Sequence, residues 1–212
     1  MSVRFAMIIS ALAASVGAAS ASTTLFYDDF ESYTQGAPSS IAPTWTVTEG
    51  SVDVIGTPGA FPWYPTQQID MNGSGGDSTA AEIYTTIDGF VVGQTYELSF
   101  DYGSNKNSNG DESLLYALVD DQDFLDLIGA VYTTGPVPDM LHASLTFIAS
   151  ATTLELFFAD GQVGSPFDDD NDQGGPILDN VRVAAVPVPA AGLLLLGGLG
   201  GLGALRRRKS AK

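Results

Sequence analysis

Between residues 96 and 158, apolar and polar residues repeatedly change places at every position. Tyr96, Leu98, Phe100 and Tyr102 alternate with Glu97, Ser99 and Asp101. Leu141, Ala143, Leu145 and Phe147 alternate with His142, Ser144 and Thr146, and Leu154, Leu156 and Phe158 repeat the pattern. A period of two places one face of an extended strand in a core and the other in water. Further along the chain, Ile177, Val181 and Val183 share one parity. Between the runs lie turn-forming clusters such as NGSGGDS, YGSNKNSNGDE and DGQVGSPFDDDNDQGGP, whose Gly, Asn, Asp and Pro residues break strands. Outside the two ends, no segment carries a convincing helical period and no internal repeat is visible. Many short strands joined by such loops predict an all-β sandwich or barrel.

The ends read differently. Met1 to Ala21 has Arg4 as a positive start, the apolar run FAMIISALAASVGAA, and small residues Ala19-Ser20-Ala21. That order predicts a secretory signal peptide cleaved after Ala21. The run is short for the alternative, an uncleaved anchor. The other end holds Val186-Pro187-Val188-Pro189, then AAGLLLLGGLGGLGAL, then Arg206-Arg207-Arg208-Lys209. The prolines mark a boundary, because proline is excluded from a helix interior. Ala190 to Leu205 as a helix spans about 24 Å at about 1.5 Å per residue. The hydrocarbon core is about 30 Å thick, and snorkelling arginines cover part of the difference. The basic cluster is expected to stay cytoplasmic. Gly197 and Gly201 are spaced as in a helix-packing face; a span of low stability, held only temporarily, is the plainer reading. The expected organisation is a signal peptide over 1–21, an exported domain over 22–185 and a membrane-spanning tail over 186–212.

With both ends removed, the 22–185 stretch keeps Lys106 and Arg182 against all 25 acids, a formal charge of −23. Such a surface repels nucleic acid and attracts divalent cations. It also suits a salty medium, in which screening relieves self-repulsion. The chain has no cysteine. Disulfides therefore do not brace the exported domain, and its core must hold the fold. About 150 residues suffice to bury most of the unfolded surface.

The three-part tail resembles the PEP-CTERM sorting signal of Gram-negative bacteria, and VPVPAAGLLLLGGLGGLGALRRR is similar to its VPLPA branch. Val188 stands where that branch has leucine, and the glutamate found between the prolines in the wider family is absent. The resemblance implies recognition by an exosortase-type membrane peptidase, cleavage near the proline motif, a transient inner-membrane anchor, and delivery to the cell surface or extracellular matrix. A second resemblance covers most of Phe26 to Val183. The ordered stretches FYDDFE, TWTVTEGSVDVIG, QIDMNG, GQTYELSFDYG and GPILDNVRV are similar to galactose-binding-like jelly-roll domains of bacterial surface and plant cell-wall proteins. That family implies a jelly-roll β-sandwich of eight to ten strands with first and last strands adjacent, and polysaccharide binding rather than catalysis.

Three constellations bear on chemistry. Asp179 shares the parity of Ile177, Val181 and Val183 and is expected to point inward; Asp28 shares that of Phe26 and Phe30. A carboxylate on an apolar face is costly unless it is paired or metal-bound, and calcium takes six to eight oxygen ligands. The jelly-roll resemblance implies a structural calcium between the first and last strands, with Glu31 and Asp179 as ligands. Backbone amides capping Asp179 are the alternative. The Asp168–Asp172 run lacks the twelfth-position acid and the flanking helices of an EF-hand, and reads equally as a solvated acidic loop.

Trp63 and Tyr64 sit among Pro58, Pro62 and Pro65. They are either an exposed platform for sugar rings or a lid over the sandwich end, whereas Trp45 reads as core. His142, the sole histidine, falls on the outward face of a strand and reads as a surface residue. One imidazole without a thiol excludes the usual zinc sites and a Cys nucleophile. The functional expectation is a non-enzymatic surface or matrix protein binding polysaccharide. The alternatives are a small glycoside hydrolase or lyase on the same sandwich, and a purely structural matrix component.

Overall fold

The computed structural model describes residues 22–37, 39–56, 65–74, 80–105, 112–120, 125–133, 140–161 and 174–187. The expected signal peptide, Trp63, Tyr64, the Asp168–Asp172 run and the tail beyond Pro187 lie outside the described residues. Ser22–Val186 forms one compact unit. Its described residues form eleven strands: β1 (Thr24–Asp28), β2 (Thr46–Glu49), β3 (Asp53–Ile55), β4 (Gln68–Asp70), β5 (Glu82–Asp88), β6 (Thr95–Ser104), β7 (Ser113–Val119), β8 (Leu125–Tyr132), β9 (Leu141–Ile148), β10 (Thr153–Asp160) and β11 (Pro176–Ala185). Among the described residues there is no helix long and apolar enough to cross a membrane.

The strands form two antiparallel sheets. A six-stranded sheet runs β3-β4-β11-β6-β9, with β1 also on β11; a five-stranded sheet runs β2-β5-β10-β7-β8. The last strand thus lies at the centre of the larger sheet. β6 pairs along one side of β11, while β4 and β1 share the other side. The adjacency of first and last strands implied by the family resemblance is observed, with eleven strands among the described residues.

The alternating runs pack as expected. Tyr96, Leu98 and Phe100 from β6 and Leu154, Leu156 and Phe158 from β10 are buried in one core between the sheets. Trp45 is its centre. Its ring stacks on Phe30 at 6.1 Å, meets Phe26 edge-on at 5.5 Å and lies 6.1 Å from Phe158. Each fully buried side chain of this size contributes about 1.5–3 kcal/mol, so a core of this extent replaces the missing disulfides.

β11 corrects one expectation. Its register shifts between Asp179 and Arg182, and Asn180 adopts φ 50°. The extra residue of a β-bulge reverses the face of everything that follows. Leu178, Val181 and Val183 therefore point into the main core. Ile177 instead packs with Ile55 in a small second cluster. Asp179 takes the face of Ile177, opposite Asp101 on β6, and not the face of Val181 and Val183.

Candidate functional site

The outer face of the five-stranded sheet carries a row that crosses every strand. Thr46 is the register partner of Tyr84, Tyr84 of Phe157, Phe157 of Ala117, and Ala117 of Ile128. All five have the parity opposite to the core residues Ile83, Leu118 and Phe158. At about 4.8 Å between strands, the row is about 19 Å long. The Tyr84 and Phe157 rings stack with centroids 5.3 Å apart and an interplanar angle of 24°. Sheet faces that meet water usually display polar side chains. Here an aromatic pair, Leu115, Ala117, Val119 and Ile128 replace them.

Two depressions lie along this face. One, of about 330 Å³, is lined by Leu115, Ala117, Val119, Ile128 and Phe157, with Glu82 at its edge. The Glu82 carboxylate is oriented by Thr48 Oγ1, which donates to Oε1 at 2.7 Å. The other, of about 580 Å³, is lined by Thr86, Asp120, Thr153 and Glu155 and shares Val119 with the first. An apolar floor beside carboxylates and hydroxyls suits a ligand with C–H faces and a rim of hydroxyl groups. Sequence reasoning did not single out this row. The available signal was Phe157, an aromatic in the outward slot between the inward Leu156 and Phe158.

The acids singled out from the sequence lie elsewhere. Asp28 is buried beside Trp45, and both of its oxygens have protein partners. Oδ1 accepts from the Phe30 N–H at 2.9 Å; Oδ2 accepts from Tyr33 Oη at 2.7 Å and Trp45 Nε1 at 2.8 Å. Burial raises the Tyr33 phenol well above its usual range, so it remains a donor. Phe30, at φ 54°, lies in the sparsely populated left-handed region, and the Asp28 bond holds it there. Glu31 is exposed, and its Oε1 accepts from the Gln67 N–H at 2.8 Å. Gln67 Nε2 also donates to the Glu31 carbonyl at 2.8 Å.

Asp179 is buried. Its Oδ1 accepts from the Asn180 N–H at 2.7 Å and its Oδ2 from Thr66 Oγ1 at 3.3 Å. Burial, reinforced by the negative charges of Asp101 and Glu31, pushes its carboxyl up to about 7. Asp101 and Glu31 are thus each near enough to Asp179 to repel its charge. Among the described residues, no three His, Cys, Asp or Glu side chains are grouped as ion ligands. His142 is exposed, with Nδ1 2.7 Å from Asp101 Oδ1. Trp63 and Tyr64 lie outside the described residues, so the fold does not bear on the choice between platform and lid.

The architecture is that of a two-sheet antiparallel β-sandwich with a grooved sheet face. It is similar to the CBM22-1 xylan-binding domain from Paenibacillus barcinonensis Xyn10C, with a TM-score of 0.51 and 14% identity, covering 79% of this chain and 97% of that one. The CBM22-1-CBM22-2 tandem domain of the same Xyn10C gives a TM-score of 0.51 and 16% identity over 81% of this chain and 47% of that one; the chain thus spans about half of the tandem. At these identities the likeness is one of fold. No family model and no curated protein matches the chain.

Proposed function

We propose that this protein is an exported, non-enzymatic polysaccharide-binding protein. The five-stranded sheet's outer face is its principal contact surface, and the fold is a jelly roll. The observation that carries this reading is the stacked Tyr84–Phe157 pair on an outward sheet face, continued by Ala117 and Ile128. Flat rings and small apolar side chains accept sugar C–H faces, while Glu82 and Glu155 accept hydroxyl hydrogen bonds. The similar fold of a xylan-binding domain supports the choice of polysaccharide. With Glu82, Asp120 and Glu155 lining the depressions, the preferred polymer is neutral, because uronates would meet like charge.

The rest of the proposal follows the sequence. The VPVP motif, apolar run and Arg206-Arg207-Arg208 direct transient inner-membrane anchoring and exosortase processing, with the domain released to the surface or matrix. Calcium bound by Glu31 and Asp179 would stabilise the sandwich, relieving the mutual repulsion of two acids near the first and last strands.

Affinity electrophoresis or calorimetry with soluble neutral polysaccharides, xylan first, tests the binding face. Phe157→Ala and Tyr84→Ala are expected to lower affinity by about tenfold or more, equivalent to about 1.4 kcal/mol, while keeping the protein folded. Undiminished binding in both variants overturns the sheet-face assignment. Release of reducing sugar by the wild type, lost with the same variants, would favour a hydrolase.

A further inference from the structure

One end of the sandwich carries an apolar tip. Residues 89–94, which join β5 to β6 there, include no charged side chain. The Val91 carbonyl accepts from the Gln94 N–H at 3.0 Å, and Gly93 has φ 83°. That is a type II turn, with Val92 at its first corner and glycine supplying the left-handed residue. The loop is held from beneath. Phe90 is buried against Tyr96 and Phe147. The N–H groups of Gly89 and Phe90 donate to the Thr152 carbonyl, and that of Gly93 to the Ala149 carbonyl. Tyr96 Oη accepts from the Val91 N–H at 2.8 Å.

This framework holds Val91 and Val92 in water, 57% and 58% exposed. Turns usually carry Gly, Pro, Asn, Asp or Ser at such positions. Ile148, 61% exposed, adds to the tip: its register partner is Thr95, the residue that follows the turn. An independent observation is where the chain leaves the sandwich. The Val186 N–H donates to the Thr95 carbonyl at 3.0 Å, so the end of β11 lies on the other side of Thr95 from Ile148. Only Val188 and Pro189 then separate Pro187 from Ala190, the start of the uncharged apolar run. Three residue steps span at most about 11 Å. The polar interface on each side of a bilayer's hydrocarbon is about 5–8 Å deep. A run that enters the hydrocarbon at Ala190 therefore keeps this end of the sandwich at the headgroups.

We propose that the tip formed by Val91 and Val92, with Ile148 beside it, seats on the lipid surface of the membrane that the tail enters. The proposal rests on the reading of residues 190–205 as a membrane span. Three apolar side chains make a small contact, and a short tether makes a small contact effective by holding it at its binding surface. The charge of −23 over residues 22–185 opposes an approach to anionic lipid, and the charge-free loop is the part of this end suited to lead. The contact is independent of the glycan face.

The chain has no cysteine, so single labels can be placed cleanly. The full chain is reconstituted in phosphatidylcholine vesicles with an environment-sensitive fluorophore on Val92→Cys, Ile148→Cys or Tyr132→Cys. Tyr132, 69% exposed, closes β8 at the opposite end of the sandwich. The labels at Val92 and Ile148 are expected to shift to the blue and to be quenched by lipid spin-labelled near the headgroup, and the label at Tyr132 to do neither. Val92→Asp, a change at an exposed turn position, should abolish the quenching at Ile148. Resistance to extraction by alkaline carbonate reports the tail separately. Carbonate-resistant protein whose Val92 and Ile148 labels are not quenched overturns the tip proposal and leaves the anchor standing. Protein stripped by carbonate overturns both. A blue shift that grows with protein density, without quenching by lipid, assigns the tip to a second copy of the chain and overturns the proposal as well.

Discussion

Replacing Asp28 by asparagine separates a hydrogen-bonding carboxylate from a metal ligand. In the folded protein, one oxygen accepts from Phe30 N and the other from both Tyr33 Oη and Trp45 Nε1. Asparagine offers one acceptor oxygen and one donor group. If its oxygen faces Trp45, its NH2 meets the Phe30 N–H; if it faces Phe30, its NH2 meets the indole N–H. Tyr33 can turn its hydroxyl to accept, but neither N–H can. One buried donor is therefore left unsatisfied in either orientation, at a cost of about 1–3 kcal/mol. The bonds that survive lose their charge assistance, roughly halving their strength. The expected total is about 2–4 kcal/mol. For a domain of this size, each kcal/mol lowers Tm by roughly 2–4 °C, so Asp28→Asn should lower it by roughly 5–15 °C. Thermal melts followed by circular dichroism, run in calcium and in EGTA, should show the same loss in both. An unchanged Tm in EGTA, with a loss only in calcium, would refute this reasoning and make Asp28 an ion ligand.

Two further outcomes are expected. In EGTA, Asp70 and Asp179 both have carboxyls raised by burial from 3.8 to about 7. The folded state then holds more protons than the unfolded chain between these values, so stability should fall as pH rises from about 4 to about 7 and level off above. Calcium should remove the share of that fall due to Asp179, and melts showing the same pH slope with and without calcium would count against ion binding there. Intact-mass measurement on protein isolated from its native surface should give a chain beginning near Ser22 and lacking the Ala190–Leu205 run. A retained tail on all surface material would end the exosortase proposal.

Several features were legible in the sequence because their causes are local. A period of two needs no knowledge of neighbouring strands, and Leu98, Phe100, Leu156 and Phe158 turned inward as their alternation required. Trp45, apolar and next to a strand, went to the core. The pairing of first and last strands came from the resemblance of ordered motifs and agrees with the register of β1 on β11. Tertiary structure decided what depends on register. The row from Thr46 through Tyr84, Phe157 and Ala117 to Ile128 draws one residue from each of five strands, and no spacing along the chain encodes which residues lie side by side. The bulge at Asn180 reversed the parity that would have put Asp179 with Val181 and Val183, because one inserted residue turns every later side chain to the opposite face. The bond from Gly175 N–H to Asp70 likewise exists only once β4 and β11 lie side by side. Alternation determines which residues are buried, whereas pairing between distant strands determines which of them meet.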